Sequence, residues 1–136
     1  MKPVFVDSGG FFAHLVAVDP FHERATILFQ QAKAERWQLV STNAVVFETY
    51  ALLLYRTRNG RTNALAFLDS VERGFCVIER LSTQDEEKAS TLLRAHEDKA
   101  YSLCDAASFV VMERLGIHEA IAFDRHFREY GRFIIL

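Results

Sequence analysis

Cysteine is scarce in this chain, and neither Cys76 nor Cys104 has a partner at a spacing that binds zinc through sulfur. Both lie in apolar stretches, Phe75-Cys76-Val77-Ile78 and Leu103–Met112. They read as buried free thiols, which implies a reducing compartment and an expected cytoplasmic location. Long hydrophobic runs are missing too. No stretch approaches the roughly 18 residues of a membrane span, and the first strand begins too soon to leave room for a secretory leader. Positive charge is in slight deficit, with 16 Lys and Arg against 18 Asp and Glu, a net charge of −2. A broad cationic surface for nucleic acid is therefore not indicated, although a local basic groove is compatible with this balance. With only two prolines, no repeats and no low-complexity linker, the 136 residues are expected to form one domain, 1–136.

Half of the residues are hydrophobic, enough for a substantial core. Short apolar runs alternate with segments of helical periodicity. Strands are expected at Pro3–Val6, Gln38–Val40, Phe75–Ile78, Ala120–Phe123 and Phe133–Leu136. Helices are expected at Gly9–Val16, His22–Arg36, Ala44–Arg58, Thr62–Arg73, Gln84–His96 after a Thr83 cap, and from Ser102 to Leu115, with a short turn at Arg125-His126-Phe127. Asn59-Gly60 reads as the stop of one helix and Gly116 as that of another. This alternation predicts an α/β fold: a mostly parallel sheet of about 4–5 strands, helices on both faces, and a helical hairpin over residues 44–73.

Four acids share one placement. Asp7 and Asp124 follow apolar strands; Glu48 and Asp105 lie in the first or second turn of a helix that follows a strand or loop. In a parallel sheet all four can reach the same carboxyl edge. Each also has a plain structural explanation. Asp7 can cap a helix, and Ser102 and Asp105 have capping-box spacing. Glu48, flanked by Ala44, Val45, Ala51, Leu52 and Tyr55, can pair with an Arg or reach solvent at the helix start. Together they are harder to dismiss, because neighbouring anions must either hold protons or share a cation. Oxygen donors suit Mg²⁺ or Mn²⁺ rather than zinc, and such a site hydrolyses phosphodiesters through activated water. Arg56, Arg58 and Arg61 gather at the hairpin turn, either as a solvated tip or as phosphate contacts. Asp98 reads as a loop acid. Phe47, Tyr50, Leu53, Leu54 and Phe67 on the hairpin cannot all face one core, which predicts an interface.

Val4-Phe5-Val6-Asp7, Val46-Phe47-Glu48-Thr49, Ser102-Leu103-Cys104-Asp105-Ala106-Ala107-Ser108-Phe109 and Ala122-Phe123-Asp124-Arg125-His126-Phe127 together resemble the successive motifs of PIN domains. They are most similar to the VapC-type ribonuclease toxins of type II toxin–antitoxin modules. The resemblance covers essentially the whole chain and is most specific in the last two motifs. It implies a metal-dependent endoribonuclease acting on RNA, a homodimer, and a small antitoxin partner. It also implies a site of Asp7, Glu48, Asp105 and Asp124 around Mg²⁺ or Mn²⁺. Ser102 matches the Ser or Thr often found before the third acid, and Asp98 resembles a further acid of that segment. Ser8, Arg125 and His126 stand beside site acids as accessory or phosphate-contacting candidates. Ser8-Gly9-Gly10 departs from the family, where bulky residues commonly follow the Ser or Thr. A non-catalytic RNA-binding or regulatory module of the same fold is the alternative. A phosphoacceptor receiver domain is not supported, since no Lys follows a late strand.

Overall fold

A computed structural model describes residues 1–136. Val4, Phe5 and Val6 are fully buried because their strand, Pro3–Val6 (β1), lies in the middle of the sheet, and a central parallel strand must be apolar on both faces. Gln38–Thr42 (β2) pairs with it on one side, with Phe5 opposite Val40. Glu119–Ile121 (β4) pairs on the other, with Val6 opposite Ile121. The edges are the short strands Val77–Glu79 (β3) and Ile134–Ile135 (β5), and short edges resist unwanted pairing. All pairings are parallel and the order is β3-β2-β1-β4-β5, so the sheet has five strands and no antiparallel member.

Ser8–Leu15 (α1) and His22–Glu35 (α2) link β1 to β2. Asn43–Arg56 (α3) and Gly60–Glu72 (α4) link β2 to β3. Thr83–Ala95 (α5) and Leu103–Leu115 (α6) carry the chain back to β4, and Arg125–Tyr130 (α7) precedes β5. With right-handed crossovers, this reversal of direction puts helices on both faces. Two aromatic groups fill the two sides. Phe11 meets Phe67 at 5.3 Å, and Phe109 meets Phe127 edge-on at 4.9 Å.

Local chemistry moves several expected boundaries. α1 starts at Ser8, one residue early, because the single Asp7 carbonyl accepts the first helical amides. α5 is capped by Ser82 rather than Thr83: Ser82 and Asp85 exchange both bonds of a capping box. Gly60 does not stop α3, which ends at an extended Thr57. Gly60 opens α4, where a Cβ would collide with the backbone oxygen of Leu54. Gly116 ends α6 in a left-handed conformation as expected.

The inward face of α3 is Val45, Val46, Thr49 and Leu53, whereas Ala51 and Tyr55 face solvent. Glu48 therefore sits half-buried at the margin of that face, not inside an apolar stripe. The expected hairpin patch is also smaller than the sequence implied. Leu53 and Phe67 are core residues, Tyr50 and Leu54 are partly buried, and of the five only Phe47 is exposed, at 73%. Cys76 is buried and Cys104 half-buried, both as free thiols. No helix is long and apolar enough to cross a membrane.

Candidate active site

β1 and β4 are neighbours at the point where the strand order reverses, and a parallel sheet opens a crevice beyond the strand ends there. Asp7 leaves β1 into this crevice. Its carbonyl accepts the amides of Gly10 and Phe11, at 3.0 and 3.1 Å, so its backbone caps α1. Its side chain makes no capping bond. The residue is 2% exposed, and Oδ1 is buried without any partner. Burial, followed by the charges of Asp124 and Asp105, raises its pKa well above the usual carboxylate range. Glu48 adds to the effect and the Ser8 amide opposes it.

Gly10 lets α1 start this close to β4, since a Cβ there would stand 2.7 Å from the Ile121 carbonyl oxygen. Ser41 donates to the Val6 carbonyl at 2.8 Å and ties β2 to the strand end that presents Asp7.

Asp105 is both cap and site acid. Ser102 Oγ accepts the Asp105 amide, and Asp105 Oδ2 accepts the Ser102 amide, each at 3.0 Å. The same Oδ2 receives Nδ1–H of His126 at 2.7 Å. Asp124 caps α7 by accepting the His126 amide at 2.9 Å. Burial and then the charge of Asp105 raise its pKa. Donor atoms of Asp105, Asp124 and His126 lie within 4.8 Å of one another. Glu48 enters from α3 and takes a hydrogen bond from the Ser8 hydroxyl. Cys104 is pressed against the cluster: burial, then Glu48, Asp7 and Asp105, hold its thiol protonated far above the usual range.

The cluster thus gathers Asp7, Glu48, Asp105 and Asp124, with Ser8, Ser102 and His126 beside them. Other sequence candidates lie apart. Asp98 is exposed in the loop before α6 and pairs with Lys99 at 3.6 Å. Arg125 is 77% exposed and pairs with Glu129 at 3.2 Å. His126, read from sequence as a phosphate contact, has its Nδ1 committed to Asp105. Sequence reasoning missed the groove of about 350 Å³ beside Ser8 and Asp124. Arg56 reaches this groove from the end of α3, and Phe21 and Phe123 line it as a stacked pair. No local sequence pattern joins these three residues, which come from separate segments.

These four carboxylates, one of which keeps a buried oxygen without a partner, fit a hard divalent cation, because a cation offsets the repulsion that helps raise the pKa values of Asp7 and Asp124.

Comparison with known proteins identifies the family and the fold. Residues 4–133 match the PIN domain family. The chain is 33% identical over 130 residues, 94% of each protein, to the 23S rRNA-specific endonuclease VapC20 of Mycobacterium tuberculosis. The crystal structure of that protein, described as a sarcin–ricin loop cleaving toxin, superposes with a TM-score of 0.88 at 31% identity, covering 98% of each chain. VapBC2 from Rickettsia felis, bound to a promoter DNA fragment, shares the fold with a TM-score of 0.73 at 9% identity, covering 99% of this chain and 98% of that one.

Proposed function

The chain belongs to the PIN domain family, and on that premise we propose that it is a Mg²⁺- or Mn²⁺-dependent endoribonuclease, the toxin of a type II toxin–antitoxin pair. The observation that carries this reading is the Asp7 carboxylate, buried, without a partner on Oδ1, and facing three other acids. A structural Asp in such a place would be paired or replaced, because an unpaired buried charge costs several kcal/mol.

Asp7, Asp105, Asp124 and Glu48 would hold the ion. A bound divalent ion supplies Lewis-acid charge to the phosphate and an activated water. The protein's own contribution is positional. The Ser102 amide and the His126 ring fix Oδ2 of Asp105, which leaves Oδ1 for the cluster. The Ser8 hydroxyl holds Glu48. Arg56 has no carboxylate partner and offers its guanidinium to phosphate oxygens across the groove.

Similarity to VapC20 directs the first assay to the sarcin–ricin loop of 23S rRNA. Purified protein with Mn²⁺ is expected to cut an RNA hairpin of that sequence, and Asp7→Asn to abolish the cut. Wild-type rates in Asp7→Asn would remove the mechanism. Metal binding without cleavage of any RNA would favour the regulatory module. A homodimer and a small antitoxin complete the proposal. Phe47, Ala51 and Tyr55 repeat once per turn on the exposed face of α3 and offer an apolar stripe for the second copy. Light scattering is expected to give about twice the 15.6 kDa of one chain.

A further inference from the structure

The groove beside the acids contains a feature that metal chemistry does not use. Phe21 is left 48% exposed, yet it is held firmly. Its amide donates to Oδ1 of Asp19 at 2.8 Å, and its carbonyl accepts the Ala25 amide at 2.9 Å. The adjacent His22 donates from Nδ1 to the Ala13 carbonyl at 2.8 Å, which ties this turn to α1. The Phe21 ring lies on Phe123 with centroids 5.0 Å apart and planes 6° from parallel. Phe123 directly precedes Asp124, so the stack is anchored to the acid cluster. A ring recruited for packing alone would be turned inward. This one is kept half in water, at the lip of a groove lined also by Ser8, Asp124 and the unpaired Arg56.

On the nuclease reading above, we propose that Phe21 and Phe123 form a stacking platform for one unpaired base of the RNA next to the scissile phosphate, with Arg56 holding the backbone. Every base has a π-face that stacks on an aromatic ring. A guanidinium fork matches phosphate oxygens. The groove's volume of about 350 Å³ lies within the range of small-ligand sites. Asp19 also lines the groove, but one of its oxygens is already bound to the Phe21 amide, so it serves to hold the platform in place. The occupant is a base that has left its helix, because a stacked, paired base cannot reach the ring. The platform therefore selects loops and single strands over duplex.

The test uses a sarcin–ricin loop RNA hairpin and copies with one loop nucleotide made abasic, cut by wild type, Phe21→Leu and Phe21→Trp in Mn²⁺. Phe21→Leu is expected to raise KM on the order of 10-fold, with kcat little changed, and Phe21→Trp to restore it. One abasic position should cost wild type a similar factor and cost Phe21→Leu nothing more. An unchanged KM in Phe21→Leu, or equal abasic losses in both proteins at every position, overturns the platform and leaves the nuclease intact. Should wild type cut no RNA, the nuclease reading falls, and anisotropy of the labelled hairpin decides the platform. About 10-fold weaker binding by Phe21→Leu supports it, and equal binding overturns it.

Discussion

The His126 ring donates from Nδ1 to Oδ2 of Asp105 across 2.7 Å, and that same oxygen accepts the Ser102 amide. One carboxylate oxygen is thus fully committed to holding the group still, and no hydrogen bond engages the other. His126→Ala should therefore leave the fold intact but weaken Mn²⁺ binding by about 10- to 100-fold, as loss of a ligand's orienting partner does. Calorimetric titration of the two proteins checks this. Equal affinities would show that the ring does not orient Asp105.

Asp7→Asn separates stability from chemistry. The substitution removes a buried charge that three neighbouring acids oppose. In EDTA the variant is expected to melt at or above the wild-type temperature, while losing all RNA cleavage. Wild type should gain about 2.7 kcal/mol from Mn²⁺ at 100 times its dissociation constant, and the variant should gain little. Melting curves with and without Mn²⁺ measure both effects.

The pH dependence follows from the direction of the carboxyl shifts. Asp7 and Asp124 are raised above 3.8 in the folded protein. Their contribution to stability is fully present below that unfolded value and is lost as pH rises through the folded ones. The metal-free protein should thus lose stability from this source as pH rises above about 4, and Asp7→Asn should flatten the slope. Mn²⁺ affinity should rise over the same window, since the ion displaces protons from these groups. Melting temperatures in EDTA and Mn²⁺ titrations at several pH values test the sign.

Away from the site, Arg114 grips Asp85 with two bonds, Nε to Oδ1 at 2.9 Å and a terminal nitrogen to Oδ2 at 2.8 Å, and reaches Glu79 at 3.0 Å. It joins α6 to α5 and β3. Arg114 holds the Asp85 carboxyl below the usual range, so this stability is present above 3.8 and is lost as pH falls through the lowered value. Arg114→Ala should cost about 2 kcal/mol near neutrality, because Asp85 is left buried without its counter-ion, keeping only the Ser82 amide. Urea denaturation should show a smaller gap between variant and wild type in acid.

Gly10→Ala should destabilise the protein by about 1–3 kcal/mol, since the new methyl group meets a backbone oxygen that cannot turn aside. α1 carries Ser8, and its start is fixed by Asp7, so the displacement should also lower Mn²⁺ affinity. Denaturation and metal titration of this one variant test both parts. A Gly9→Ala control has only an ordinary 4.0 Å neighbour.

The alternation of Val4-Phe5-Val6 and its counterparts with amphipathic helices made the parallel sheet legible, because strands buried on both faces must be apolar throughout. The acids were legible because each follows a strand or opens a helix. Periodicity alone could not rank the faces of α3. Ala51 and Tyr55 look as apolar as Leu53, and only packing against α1 and the sheet makes Val45, Val46, Thr49 and Leu53 the inner ones. Gly60 was misread because a stop and a close approach leave the same residue in the sequence, and the Leu54 carbonyl decides between them. The groove was hidden because Phe21, Arg56 and Phe123 come from three separated segments that no local pattern connects.

β1 carries Asp7 from the start of the chain, yet its partner β4 is among the last elements made. A growing polypeptide holds Asp7 and Glu48 well before β4 exists to complete the crevice. Closing so wide a loop is a slow, late step in folding. The acids therefore meet only once β1 and β4 have paired, and a chain that stops short of β4 lacks Asp124 and a complete cluster.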